Sequence, residues 1–239
     1  MDHLISVATS AEVASLDTRV ALLPVGSYEQ HGEYLPLSTD TLVASAIARE
    51  IAKSYPVALL PPITIACSHE HAGWPGTVSI SARTLHLVIN DIAASLSHSD
   101  VDRLVVINGH GGNYVLSNVV QEASVGGPRM ALFPQTADWI KARTDAGMET
   151  TVHEDMHAGE AETSILLHVC PDVVRPGNET ADWLADDRPH LLSLGMSAYT
   201  TSGVIGRPSL GSAAKGAAAL ASFAASFKDT LDVLLQDAG

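Results

Sequence analysis

Residues 20–40, VALLPVGSYEQHGEYLPLSTD, place a cluster of ionisable side chains directly after an apolar run. The run VALLPV is short and rich in valine and leucine, which is typical of a strand buried on both faces of a parallel sheet. Gly26 ends this strand, so Glu29 and His31 emerge at its carboxyl end. Ligands bind at that edge of open α/β sheets. The stretch therefore predicts an α/β fold with a functional site at the end of the strand.

Short apolar runs and amphipathic stretches alternate along the rest of the chain, a pattern that favours βαβ units and a mainly parallel sheet. Further strands are predicted at residues 57–60, 103–107 and 130–133. Helices are predicted at residues 40–53, 81–96, 116–123 and 213–235, and residues 160–169 suit either a helix or a late strand. Because the 239 residues contain neither an internal repeat nor a linker, we expect a single domain over residues 1–239.

The charge balance and the cysteine content restrict the partners and the compartment. The formal net charge of −14 argues against nucleic acid and anionic membranes as partners, because both attract clustered Lys and Arg. The two cysteines form no CxxC pair, and no stretch approaches the roughly 20 apolar residues of a membrane span. The first residues also lack the basic start and the apolar run of a signal peptide. We therefore expect a soluble, cytoplasmic protein.

The cluster after the first strand has the composition of a metal site. Glu29 and His31 lie two residues apart, so in an extended segment their side chains point to the same side. Asp40 begins the next predicted helix and can reach back across the turn at Pro36, although Asp is also a common helix N-cap. Carboxylates so close together repel one another unless a cation lies among them or water solvates them. The pattern therefore indicates a cation site.

Residues 108–113, NGHGGN, directly follow the predicted strand at 103–107. The glycines let the backbone turn tightly and approach a ligand closely. Neither GxGxxG nor the lysine-bearing P-loop pattern is present, so phosphate binding is weakly supported. His110, between glycines at a strand end, is better explained as a metal ligand or as an acid or base.

Residues 153–164, HEDMHAGEAETS, allow two interpretations. The first five residues match HExxH, which on a helix places His153 and His157 around zinc with Glu154 as general base. However, Gly159 follows at once and no amphipathic pattern surrounds the motif. The other interpretation places His157 and Glu160 on an irregular loop that faces the first two clusters.

Four motifs together resemble the creatininase (creatinine amidohydrolase) family over roughly residues 20–210. They are Glu29-x-His31 with Asp40 eleven residues after Glu29, the NGHGGN loop, EHAGWPGT at residues 70–77, and HAGEAETS at residues 157–164. The resemblance implies an α/β fold built as a three-layer α/β/α sandwich around a mostly parallel sheet. It also implies two divalent metal ions, commonly zinc, manganese or iron, and a homo-oligomer that is often a hexamer.

The resemblance assigns roles to the ionisable residues. It implies that Glu29 and His110 bind one ion, that His31 binds the other, and that Asp40 bridges them. Glu33 has no counterpart in the family's pattern.

One family ligand is missing from the sequence. Creatininase itself has a ligating glutamate two residues after the histidine of the NGH motif, where this chain has Gly112. We predict that Glu160 supplies the missing carboxylate, as a metal ligand and catalytic residue, with Glu162 as the rival. His157 matches the histidine that acts as proton donor in the family.

The resemblance implies a metal-dependent amidohydrolase that cleaves a C–N bond of a small or cyclic amide with a metal-activated water. The substrate pocket is predicted to include His71, Trp74, Gly111 and Gly112. The aromatic residues that enclose creatinine are not clearly reproduced, so creatinine itself is a poor candidate.

Three alternatives to a small-amide hydrolase stay open. The first is a peptidase of the same family that trims a ribosomally made redox-cofactor precursor, the mycofactocin-precursor branch, which shares the run ETSILLH at residues 162–168 and a segment like TSGVIG at residues 201–206. The second is an HExxH zincin-type peptidase. The third is a non-catalytic member that carries no metal.

Overall fold

The fold is described from a computed structural model that covers residues 4–127 and 129–236. Four parallel strands form one sheet in the order β2-β1-β3-β4. The strands are β1 (Val20–Val25), β2 (Ala58–Leu59), β3 (Arg103–Asn108) and β4 (Met130–Phe133). The strands predicted at 103–107 and 130–133 are confirmed almost to the residue. The strand predicted at 57–60 is shorter than expected, since only Ala58–Leu59 are in β conformation.

Helices connect the strands and cover both faces of the sheet. They are α1 (Ser10–Ser15), α2 (Thr39–Ala52), α3 (Ala82–Ser97), α4 (Val115–Ala123), α5 (Thr136–Asp145), α6 (Glu160–Val169), α7 (Leu191–Leu194) and α8 (Ala213–Leu234). Short 3₁₀ turns occur at His69–His71, Pro171–Val173, Asn178–Thr180, Met196–Ala198 and Pro208–Leu210. Within the two described ranges, no helix is long and apolar enough to cross a membrane.

The alternation of side chains along β1 divides the core into two layers. Val20 and Leu22 pack on one face with residues of α2, α6 and α8, while Ala21 and Leu23 pack on the other face with residues of α3 and α4. All six residues of β1 are buried, as its apolar sequence predicts. The predicted three-layer α/β/α sandwich is confirmed.

Residues 160–169 form a helix, which settles the choice left open by the sequence. Helix α5 is not among the predicted elements. Its sequence TADWIKARTD buries few residues, Ala142 and Arg143, and so offers little apolar periodicity to detect.

Two glycines at strand ends let α2 pack directly against the sheet. A side chain at Gly26 would overlap the backbone of Thr41, and one at Gly109 would overlap the carbonyl oxygen of Asp40. Strands β1 and β3 are neighbours in register, with Val25 opposite Asn108. The loops that follow them therefore emerge side by side, against the first turn of α2.

Candidate metal centre

Ionisable side chains that lie far apart in sequence meet where β1 and β3 end. The members with nearly complete burial are Glu29, His31, Asp40, His71, His110 and His157. The half-buried carboxylates Glu70 and Glu162 lie at the edge of this group. Buried ionisable groups in such number are rare in proteins unless they are paired or bind a metal.

His31 is held with one nitrogen directed into the cluster. Its Nδ1 donates a hydrogen bond to the backbone oxygen of Glu29, at 3.0 Å. This bond leaves Nε2 facing two carboxylates, 3.0 Å from Asp40 Oδ1 and 3.9 Å from Glu162 Oε1. An Nδ1–H bonded to a carbonyl is a common way to orient a metal-binding imidazole.

His110 approaches the same carboxylates from the NGHGGN loop. Its Nδ1 lies 3.1 Å from Glu29 Oε1 and 3.2 Å from Asp40 Oδ2. The two oxygens of Asp40 therefore face two different histidines, His31 on one side and His110 on the other. This is the arrangement that a carboxylate bridging two ions requires.

The donor set fits divalent metal ions. Within the described residues, Glu29 Oε1 and Asp40 Oδ2 are fully buried and accept no well-aligned hydrogen bond, although imidazole nitrogens lie 3.1–3.2 Å from them. Burying such oxygens costs free energy of folding unless a cation or a hydrogen-bond donor binds them. Three overlapping groups have ligand atoms within 4.8 Å of one another: Glu29, His31 and His157; Glu29, Glu70 and His110; His31, Asp40 and Glu162. Carboxylate oxygens with imidazole nitrogens suit zinc, manganese and iron.

The electrostatics of the cluster point the same way. Burial disfavours the charged imidazole of His31, but the adjacent Asp40, Glu162 and Glu29 carboxylates raise its pKa to about 9. Burial raises the pKa of Glu162 to about 7, against the opposing influence of His31. The carboxylates thus draw a proton onto His31, and a divalent cation would displace that proton on binding.

Glu160 does not reach the cluster, so the geometry contradicts the prediction that it supplies the missing carboxylate. Its carboxylate lies 2.5 Å from Lys215 Nζ and accepts hydrogen bonds from the backbone N–H groups of Glu149 and Thr150. Glu162, two residues on, lies on the side of α6 that faces His31. The sequence did not separate the two because both fall in the first turn of one helix.

His157 lies inside the cluster in a neutral form. Burial and the nearby imidazoles of His31 and His71 lower its pKa well below the usual value. Its Nε2 donates a hydrogen bond to the backbone oxygen of Gln30 at 2.6 Å, which leaves Nδ1 as an acceptor 3.7 Å from Glu29 Oε1. The structure thus places His157, the predicted proton donor, inside the cluster. Because its Nδ1 carries no proton, Nδ1 must accept a proton before it can donate one.

The HExxH motif is not a zinc site in this fold. Residues 153–157 form turns and irregular backbone, so His153 and His157 do not lie one turn apart on a helix. His153 is exposed and its ring bonds to the backbone oxygen of Asp186, while Glu154 accepts from the N–H of Thr151. The zincin alternative is therefore wrong. Gly159 and the lack of apolar periodicity are the sequence features that opposed it.

The four residues predicted to bind substrate lie in different surroundings. His71 is buried, accepts from Gln30 Nε2 at 2.9 Å and directs its own Nε2 to Glu29 Oε1 at 3.1 Å. Burial lowers its pKa to about 3. His71 therefore contacts Glu29 from inside the cluster. Trp74 lies outside the cluster and is half-buried, with its ring centroid 6.4 Å from that of His71.

Gly111 and Gly112 border two cavities on either side of the NGHGGN loop. A cavity of about 180 Å³, the Gly111 cavity, is lined by Gly111, Pro134, Trp139, Met156 and Glu162 among others. A cavity of about 580 Å³, the Gly112 cavity, is lined by Glu70, Gly112, Tyr114, Leu192 and Leu194 among others. Both glycines thus border open space beside the metal centre.

Sequence reasoning missed three supports of the site. The first is Glu70, which directly precedes His71 in the EHAGWPGT loop. An ionisable residue beside a predicted site residue was the signal that could have found it. Gln30 bonds to both His71 and Gly203. The buried Asp155 caps α6 by accepting from the N–H groups at its first two residues, and it pairs with Arg143 at 2.7 Å. The last two supports depend on contacts that sequence spacing does not reveal.

Comparison with known proteins agrees with this architecture. A family model described as "Creatininase: Creatinine amidohydrolase" matches residues 6–231. The chain belongs to the creatininase family. The predicted resemblance is confirmed, and so is the prediction of a hydrolase that acts on C–N bonds.

The relatives of this chain include mycofactocin precursor peptide peptidases and a creatinine amidohydrolase. The chain is 34% identical over 223 residues to a mycofactocin precursor peptide peptidase of Mycolicibacterium smegmatis, covering 89% of this chain and 83% of the relative. It is 36% identical over 225 residues to the protein of that name from Mycobacterium ulcerans, covering 89% and 84%. It is 28% identical over 180 residues to creatinine amidohydrolase of Pseudomonas putida, covering 69% of each.

Solved creatininases share the fold. The structure titled "Creatininase Mn" matches with a TM-score of 0.77 and 23% identity over 92% of both chains. A mutant creatininase of "Zn-Zn type" matches with a TM-score of 0.79 and 22% identity, covering 97% of this chain and 98% of the other. At such identities the likeness establishes the fold alone.

Proposed function

We propose that this creatininase-family hydrolase is a metal-dependent peptidase that cleaves an amide bond in a ribosomally made precursor peptide. The observation that carries the proposal is the identity of 34–36% to mycofactocin precursor peptide peptidases over 87–89% of this chain. The identity to creatinine amidohydrolase is 28% and covers 69% of the chain. The runs ETSILLH and TSGVIG, which resemble the peptidase branch, support the same choice.

We propose that the centre holds two divalent ions, zinc, manganese or iron. Glu29 and His110 would hold one, His31 and Glu162 the other, and Asp40 would contribute one oxygen to each. Bound there, such ions supply an activated water and polarise an amide carbonyl. The unpartnered oxygens of Glu29 and Asp40 support this assignment.

His157 is the proposed acid and base of the reaction. In its neutral form Nδ1 is the free acceptor, because Nε2–H is bonded to the Gln30 carbonyl. Nδ1 would take the proton of the attacking water and return it to the departing amide nitrogen, so the group acts as a base before it acts as an acid. Gln30 keeps the ring in this orientation through its backbone oxygen.

The cavities on both sides of the centre suit an extended substrate better than a compact one. The Gly111 cavity of about 180 Å³ reaches Glu162, and the larger Gly112 cavity of about 580 Å³ reaches Glu70. The exposed side chains Tyr114, Leu192 and Leu194 offer apolar surface beside the second cavity. A peptide lying across the loop would place residues on both sides of the scissile bond in contact with protein.

The proposal is tested by incubating the metal-loaded protein with a synthetic precursor peptide and, separately, with creatinine and simple lactams. Mass spectrometry should detect cleavage of one peptide bond, and the Asp40→Asn variant should lose it. Turnover of lactams without turnover of the peptide would favour the second candidate, a small-amide hydrolase, for which the relationship to creatinine amidohydrolase is the supporting observation. Failure to bind stoichiometric metal would favour the non-catalytic alternative.

The assembly and the compartment stay predictions. We propose a single domain over residues 1–239, a homo-oligomer that is often a hexamer in this family, and a cytoplasmic location. Analytical ultracentrifugation of the metal-loaded protein would test the assembly.

A further inference from the structure

Glu70 lies against the outer nitrogen of His110, in the space that a side chain at position 112 would fill. Its Oε1 is 3.2 Å from His110 Nε2, on the edge of the ring away from Nδ1. Nδ1 is the nitrogen that faces Glu29 and Asp40. The imidazole is therefore flanked by carboxylates on both of its nitrogens.

Gly112 makes room for this arrangement. A Cβ atom at position 112 would overlap both the Glu70 carboxylate and His110 Nε2. Any side chain there would thus displace the Glu70 carboxylate and also press on the His110 ring.

The turn that carries Glu70 is itself anchored in the cluster. His71, the next residue, is 2% exposed and directs Nε2 to Glu29 Oε1 at 3.1 Å. The 3₁₀ turn His69–His71 therefore braces two proposed ligands at once, Glu29 through His71 and His110 through Glu70.

We propose that Glu70 is a positioning residue that holds His110 with Nδ1 directed at the metal centre, and that Gly112 is required because it leaves space for the Glu70 carboxylate. A carboxylate on the far nitrogen of a metal-binding imidazole fixes the ring and raises its basicity, and its loss typically lowers metal affinity about 10- to 100-fold. The inference rests on the proposed function, since it assumes that His110 binds an ion.

The test compares Zn²⁺ affinity among variants of the full chain, measured by competition with a chromophoric chelator. Glu70→Gln should weaken binding of one ion about 10- to 100-fold while the stoichiometry at saturating Zn²⁺ stays that of wild type. Glu70→Ala should weaken it more, because Gln keeps a side-chain oxygen beside His110 Nε2 and Ala leaves none. Glu33→Gln, which removes a carboxylate from an exposed residue, is the matched control and should leave the affinity unchanged.

Gly112→Ala tests the same idea through sterics. Its added methyl group should displace the Glu70 side chain and also press on the His110 ring, so the affinity loss should be at least that of Glu70→Gln. Gly111→Ala is the matched control for metal affinity, since a Cβ there meets no described atom within 4 Å. The visible absorption of the Co²⁺-loaded protein should shift in Gly112→Ala and in Glu70→Gln but not in Gly111→Ala.

The outcomes separate the inference from the function on which it rests. Wild-type protein that binds no Zn²⁺ would reject the metal centre. Wild-type binding with unchanged affinity in Glu70→Gln would reject the role of Glu70. Loss of an entire ion in Glu70→Gln at saturating Zn²⁺ would also reject it, because Glu70 would then be a direct ligand.

Discussion

Asp40→Asn should greatly weaken metal binding by this protein while leaving the fold intact. The side chain is 1% exposed, and its oxygens lie 3.0 Å from His31 Nε2 and 3.2 Å from His110 Nδ1. Asparagine has the same shape, so the first turn of α2 can keep its packing. What the substitution removes is one negative charge shared by both proposed ion positions.

The magnitude follows from Coulomb's law. Two unit charges about 4 Å apart interact by about 4 kcal/mol at an effective dielectric constant of about 20, and a divalent ion doubles this value. The dipole of the new carboxamide offsets part of the loss. We therefore expect each ion to bind Asp40→Asn weaker by at least about 4 kcal/mol, which is roughly a 1,000-fold loss of affinity.

Two measurements check this expectation. Elemental analysis after dialysis should find about two ions per wild-type chain and close to none in Asp40→Asn, given that bridging ligands serve both ions. Excess metal at 100 times its dissociation constant should stabilise the wild type by about 2.7 kcal/mol per site, and the variant should show no such gain. If Asp40→Asn retains both ions through dialysis, Asp40 does not bridge them.

Further expectations follow from the surroundings of the centre. Glu162→Gln should lose one ion and most activity, whereas Glu160→Gln should keep both ions, and metal analysis of the pair separates the two helix positions. Asp155→Ala leaves Arg143 buried without its partner, so urea unfolding should report a loss of about 3–5 kcal/mol. A loss below about 1 kcal/mol would contradict the importance of this pair. His153→Ala should change neither metal content nor activity, and lost zinc there would revive the HExxH hypothesis.

The sheet and most of the site could be predicted because their signals are local. Val20–Val25 is an apolar run, and Arg103–Asn108 has four apolar residues between its ends. Both strands lead into glycine-containing loops, and strand ends gather ligands at one edge of the sheet. Glu29, His31 and Asp40 fall within one stretch, so their meeting needed no knowledge of distant contacts.

The choice between Glu160 and Glu162 could not be made from the sequence. Both lie in the first turn of α6, and a rotation of about 200° around the helix separates them. Lys215, from α8 more than fifty residues away, pairs with the buried Glu160, so this side of α6 faces α8 and not the ion cluster. Such a decision depends on packing between helices, which the spacing of residues within one helix does not encode.

The contacts of Gly26 and Gly109 with the first turn of α2 bear on how the protein exchanges metals. Backbone packing against Thr41 and Asp40 holds the start of both loops in place. The His31 ring is likewise fixed by a backbone carbonyl. If these loops carry the proposed ligands, removing the metal with a chelator should leave a folded chain that takes up metal again without refolding.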